Sequence, residues 1–233
     1  MAGLRRRLRQ FASPADAKFL QGYFKTGPGE YGAGDQFVGI RVPVLRRLAK
    51  EFHSLPRRDV IALLQSPIHE ERLLALIVMV NAYEGGDKTE QAEICELYLE
   101  QLARVNNWDL VDSSAPYILG PHLCERPRKI LFRLAHSENL WHRRVAMLAT
   151  FHFIRSKDFA DALRLAELLR DDGHDLMHKA VGWMLREIGK RDVAVLKQFL
   201  QRHAALMPRT MLRYAIEKLP ERERKRYLRA GKA

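Results

Sequence analysis

Apolar residues recur at helical spacing along almost the entire chain, and no stretch keeps a period of two. That pattern predicts an all-α fold, because recurrence at helical spacing gives each helix one apolar face to bury. Ser13-Pro14 opens a helix, with Ser as N-cap and Pro at the first helical position, and Gly27-Pro28-Gly29 closes it. Pro43 opens the next, running to about His53. A rhythm then sets in. Helices begin near Pro56, Lys88, Pro127, Asp158 and Asp192, at spacings of 32, 39, 31 and 34 residues. Each is followed by a short break and a second helix, over 69–83, 108–119, 140–154, 176–188 and 209–218.

A helix pair cannot bury its apolar face by itself, so repeated pairs must stack. A period of 30–40 residues belongs to HEAT-like and related α-solenoids. A weak register supports the repeat: Arg72-Leu-Leu-Ala, Arg144-Val-Ala-Met and Lys179-Ala-Val-Gly each place a basic residue early in a second helix. The expected organisation is one helical-repeat domain over 1–233. Capping helices occupy 1–54, helix pairs 55–219, and a charged helix opened by Pro220 fills 220–233. In such a solenoid one set of helices lines the concave face, and if the second helices do, their polar residues form a continuous groove.

Charge gives that groove its expected sign. The chain carries 40 Lys and Arg against 28 Asp and Glu, a net +12. Residues 1–120 hold 15 basic and 15 acidic residues, whereas 121–233 hold 25 and 13, so the whole excess sits in the second half. A basic concave groove points to a polyanion, most simply nucleic acid. With 47% hydrophobic and 29% charged residues the chain is not disordered. The longest apolar run, Leu73–Val80, is far too short to span a bilayer, and the Arg-rich start has no apolar segment of a secretory signal. Two cysteines, Cys95 and Cys124, fit a reducing compartment, so a cytoplasmic location is expected, without membrane contact.

One second helix departs from the basic start. It reads Asn107-Trp108-Asp109-Leu110-Val111-Asp112. Trp108 and Asp112 stand at i and i+4 and share a face. Asp109 points off that face and, as a first-turn acid, favours the helix N-terminus. Farther on, Trp141 and Arg144 stand at i and i+3, and Lys179, Trp183 and Arg186 form an i, i+4, i+7 stripe. The chain has three tryptophans, each one turn from a charged residue. Arg and Lys suit phosphates, and indoles suit bases or a cation. A carboxylate repels DNA, so it needs a reason; stabilising positive charge on a deoxyribose that is losing its base is one.

These segments, Trp108-Asp-Leu-Val-Asp112, Trp141-His-Arg-Arg144-Val-Ala and Lys179-Ala-Val-Gly-Trp183-Met-Leu-Arg186-Glu187, resemble the AlkD-type DNA glycosylases of the DNA alkylation repair family. Tyr23-Phe-Lys25, Phe37-Val-Gly39-Ile40-Arg-Val-Pro43 and Arg46 are similar to that family's opening segment, although the Gly-rich insert after Lys25 departs from it. The resemblance implies excision of N3- and N7-alkylated purines from double-stranded DNA, with no cofactor and no metal. It implies Asp112 as catalytic carboxylate, Trp108 and Trp183 flanking the lesion nucleotide, and Arg144 as an active-site arginine. Arg186 would contact the DNA backbone. It also implies recognition without a base pocket. Chemistry agrees: an alkylated purine is cationic and leaves readily, so one carboxylate near the sugar suffices.

Rival readings are weaker. His174 and His178 stand at i and i+4 but lack the Glu of the metalloprotease motif and a third ligand. A lyase needs an amine nucleophile, for which Lys179 is the only groove candidate, and a phosphate contact suits it better. Gly27–Gly34 lacks the Gly-Lys-Ser/Thr of a phosphate loop and reads as a connection. A non-enzymatic scaffold for nucleic acid or protein needs the same groove but has no use for Asp112. A capped solenoid is expected to be monomeric.

Overall fold

A computed structural model describes residues 1–230. Those residues form fifteen α-helices and no strand beyond one isolated parallel bridge, Gln36 to Ile68. The chain divides into two compact units, Met1–Ser114 and Ala115–Ala233.

The first unit holds α1 (Ala2–Arg9), α2 (Pro14–Tyr23), α3 (Val42–Glu51), α4 (Arg57–Leu64), α5 (His69–Gly85), α6 (Lys88–Glu100) and α7 (Trp108–Asp112). Its centre is α5. Every residue from His69 to Leu76 is buried, so that helix has no solvent face over two turns. Helices α3, α4, α6 and α7 all pack on it. Local chemistry sets the ends. Ser13 accepts from the Asp16 N–H at 3.3 Å, with Pro14 at the first position of α2. Asp87 and Glu90 form a reciprocal capping box on α6. The Arg-rich start is itself a helix: Leu4 and Leu8, one turn apart, are buried while the arginines stay outside the core. Helix α2 stops before the glycines, with Lys25 in the left-handed region at φ 54°.

The second unit holds α8 (Leu119–His122), α9 (Lys129–Ala135), α10 (Leu140–Arg155), α11 (Ala160–Leu168), α12 (Asp175–Arg191), α13 (Val193–His203), α14 (Arg209–Ala215) and α15 (Glu221–Ala230). Consecutive helices pack pairwise from α9 to α13. In addition α10 packs on α12 and α12 on α14, so the second helices of successive pairs form their own layer. Gly182 allows α12 to approach α14 closely. A Cβ there would sit 2.5 Å from the Met211 carbonyl oxygen and 2.6 Å from Tyr214 Cβ.

First-helix starts near 56, 88, 127, 158 and 192 match α4, α6, α9, α11 and α13. One expectation needs correction. The helix expected over 108–119 is two short helices, α7 and α8, joined by turns. Pro116 has no N–H to continue the ladder, and the Ser114 hydroxyl donates back to the Leu110 carbonyl at 2.6 Å. The charged C-terminal helix expected over 220–233 is α15, and 231–233 lie outside the described residues.

Candidate functional site

Helix α7 has five residues, too few to hold itself by hydrogen bonds within the helix. It is held from beneath. Asn107, its N-cap, accepts from the Trp108 N–H at 2.8 Å and donates to Asp35 Oδ2 at 3.1 Å. Asp109 Oδ2 lies 2.8 Å from His69 Nε2, and Asp35 Oδ2 lies 2.9 Å from His69 Nδ1. Arg72, one turn along α5, donates to the other Asp35 oxygen at 2.5 Å. Two carboxylates thus meet one imidazole and one guanidinium. Asp35, His69 and Arg72 are buried and Asp109 is nearly so.

The geometry fixes the charge on His69. With a carboxylate on each ring nitrogen, a neutral imidazole would aim a lone pair at an anion. Burial opposes a charged ring. The Asp109 charge and hydrogen bond, joined by those of Asp35, outweigh it and raise His69 to about 9. Burial likewise works against Asp35, but the His69 hydrogen bond and the Arg72 charge hold its carboxyl below the usual range. Rings enclose the cation: Phe37 stacks on His69 at 4.5 Å and Phe24 lies at 5.0 Å.

The segment bearing Asp35 is pinned as firmly. His69 N–H donates to the Gln36 carbonyl at 2.8 Å. The next carboxylate, Glu70, accepts from the N–H groups of Val38, Gly39 and Ile40, at 2.8 Å for Gly39. Gly39 takes φ 82°, where a Cβ would run into the backbone of Ser13 and Ala17.

On α7, Leu110 and Val111 enter the core and Asp109 turns to His69. Trp108 and Asp112 are the half-buried pair left at the surface. The Trp108 indole is stacked at 5.1 Å on Phe24 and meets Tyr23 edge-on at 6.0 Å. Tyr98 of α6 is fully buried, its hydroxyl 3.0 Å from Ser114 Oγ. Burial, with the Asp112 charge adding to it, pushes the Tyr98 phenol up. Asp109 points off the Trp108–Asp112 face, as its spacing implies, and its carboxylate meets the buried His69 cation.

The second unit carries the other candidates. Arg144 in α10 is buried, 4% exposed, and donates to the Leu176 carbonyl at 2.6 Å. Trp141 is also core, at 8% exposure, which its spacing alone did not distinguish from the other tryptophans. On α12, Lys179 pairs with Asp175 one turn back at 2.8 Å. Trp183 is half-buried, its ring 6.1 Å from Phe151. Arg186 pairs with Glu217 and lies 6.0 Å from the Tyr214 ring. The two histidines weighed as metal ligands have structural duties. His174 caps α12 by accepting from the Leu176 N–H, and His178 lies 2.5 Å from the Asp172 carbonyl. Among the described residues no three His, Cys, Asp or Glu are grouped to hold a metal ion. No described helix is long and apolar enough to cross a membrane.

Sequence reasoning gave Asp35, His69, Arg72, Asn107 and Phe24 no part in the site. Two of them left a local signal: Arg72 as the basic residue of the repeat register, and Asn107 as a capping residue directly before Trp108.

Three comparisons with known proteins bear on this geometry. The family model described as DNA alkylation repair enzyme matches residues 4–219. Among solved structures, one described as a predicted DNA alkylation repair enzyme from Enterococcus faecalis is 18% identical, with 90% of this chain and 97% of that one covered and a TM-score of 0.70. AlkD2 from Streptococcus mutans is 17% identical, covering 88% and 97%, with a TM-score of 0.55. The protein smu.31 from Streptococcus mutans UA159 is 18% identical, covering 82% and 90%, with a TM-score of 0.52. At such identities these structures speak for the fold. No curated protein matches. The family match runs from the first buried leucine of α1 to the end of the last helix pair, and on that match the chain belongs to the DNA alkylation repair enzyme family.

Proposed function

We propose that the protein is a monofunctional DNA glycosylase, acting as a monomer, that hydrolyses the N-glycosidic bond of N3- and N7-alkylated purines in duplex DNA. One observation carries the proposal: on α7 an indole, Trp108, and a carboxylate, Asp112, stand one turn apart and half-buried, while Leu110 and Val111 lie in the core and Asp109 meets His69.

That pair suits a cationic leaving group. Alkylation at N7 or N3 places a positive charge on the purine. When the C1′–N9 bond breaks, its electrons return to the ring and the base departs neutral. Positive charge then develops on the sugar. Asp112 stabilises it and orients the water that adds to C1′, whose proton passes to the carboxylate or to solvent. Trp108, with its face set by Phe24 and Tyr23, offers a π surface to the lesion nucleotide. On the second unit, in this proposal, Trp183 offers an indole face to DNA, Lys179 and Arg186 meet the backbone by exchanging Asp175 and Glu217 for phosphate, and Arg144 orders the start of α12 through Leu176. The second unit's charge excess supports a polyanionic partner.

The test is single-turnover release of N7-methylguanine from a duplex carrying one lesion. Asp112→Asn keeps size but loses the charge, so excision falls at least ~10²-fold while binding to DNA holds or tightens. Glu93→Gln, an exposed carboxylate on α6, is the comparison and excises as the parent does. Excision by Asp112→Asn at the parental rate would sink the mechanism. Duplex binding with no excision by the parent protein would leave a non-enzymatic scaffold as the better account.

A further inference from the structure

We propose that His69 is a positioning residue for this reaction: its imidazolium, clamped between Asp35 and Asp109, holds α7 in place and with it the orientation of Trp108 and Asp112. The inference rests on the glycosylase reading above.

Connectivity carries the argument. Three anchors outside the helix hold the first residues of α7: Asn107 to Asp35, Asp109 to His69, and Trp108 on Phe24, with Tyr23 edge-on to the same indole. All three converge on one ring. His69 bonds Asp35 and Asp109 directly and packs against Phe24. Asp35 comes from the connection after α2, His69 and Arg72 from α5, and Asp109 from α7. These are the titratable groups that face one another here, and with His69 charged they sum to zero. Loss of the ring proton leaves two buried carboxylates against one guanidinium, with a lone pair aimed at one of them. The cheapest relief is movement of the weakest element, and that is five-residue α7, since Asp35 is also fixed by Arg72 and its segment by Glu70. A small shift of α7 displaces Asp112 from the developing charge. Misplacement by about an ångström is enough to cost up to ~10²-fold in rate.

The test uses the full chain with ¹⁵N-labelled histidine and tryptophan. Long-range imidazole spectra are followed from pH 6 to 10.5, with His69 assigned from His69→Gln and the Trp108 indole from Trp108→Phe. At pH 7 both His69 nitrogens carry protons. The ring titrates near pH 9, and the Trp108 indole signal moves with the same midpoint. Single-turnover excision falls about 10- to 100-fold through that midpoint. Asp109→Asn removes one anion and lowers both midpoints by at least about one pH unit. If that variant does not fold, the titration of the parent protein decides. A neutral His69 at pH 7, a Trp108 signal that ignores the titration, or a rate that stays flat across it would each overturn the proposal. Absence of excision under any condition refutes the glycosylase reading instead, and the spectra still decide whether His69 positions α7.

Discussion

The buried imidazolium makes the folding stability of this protein depend on pH in a window that can be named beforehand. The ordinary histidine value is 6.5, and the two carboxylates raise His69 to about 9 in the folded state. A folded-state value above the unfolded one means that the native protein binds the proton more tightly. The contribution is fully present below pH 6.5 and is lost as pH rises through 9. One pKa unit is worth about 1.4 kcal/mol, so the proton is worth about 3 kcal/mol over the window. The ring is only 2% exposed, so solvent screening takes little from that figure. Four other histidines act in a different window. Burial lowers His122, His142, His152 and His174, and their effect falls below pH 6.5, where stability drops as they are forced to charge. Urea unfolding at a series of pH values from 6 to 10 should therefore show the unfolding free energy falling by about 3 kcal/mol between 6.5 and 9 in the parent chain. In His69→Gln that fall should vanish, from a lower starting stability. Parallel curves for the two proteins would refute the assignment of charge to His69.

Two further expectations follow from packing and from charge. Gly182→Ala places a methyl 2.5 Å from the Met211 carbonyl and should destabilise the protein by about 1–3 kcal/mol in thermal melts, whereas Gly22→Ala, with nothing within 4 Å, should be neutral or stabilising by up to about 1 kcal/mol. Binding to undamaged duplex should be weak and fall steeply with salt, and Arg186→Ala should flatten the slope of log affinity against log salt by roughly one; a parental slope in that variant would remove Arg186 from the proposed backbone contacts.

The rhythm of helix pairs was legible because its signals are local. Capping and breaking residues announce themselves within a turn, and α6 begins at Lys88 beside its Asp87 cap where spacing placed it. The break between α7 and α8 was less so. Pro116 is visible in the sequence, but so is the apolar periodicity that runs past it, and only packing decides between them. The i, i+4 relation of Trp108 and Asp112 is equally local, and the structure leaves both at the surface. What the sequence could not disclose lies at long range. Asp35 and His69 are 34 residues apart, and His69 and Asp109 are 40. No periodicity links a loop aspartate, a helix-start histidine and a second-helix aspartate. The same holds for Trp141, whose burial depends on its neighbours and not on its spacing to Arg144.

This difference bears directly on the two aspartates of α7. They stand three residues apart in one short helix, and neither composition nor propensity tells them apart. Tertiary structure does. Asp109 faces a cation that it cannot leave without stranding a buried charge, a loss that removal of one partner usually makes severe. Its carboxylate is therefore committed to holding the helix. Asp112 is half-buried on the same face as Trp108, and its charge helps to keep the buried Tyr98 phenol protonated. A carboxylate that must meet positive charge developing on a sugar has to be reachable by that sugar, and of the two only Asp112 shares the surface with Trp108. In the proposed reaction, chemistry therefore belongs to Asp112 and support to Asp109, because the buried imidazolium engages Asp109.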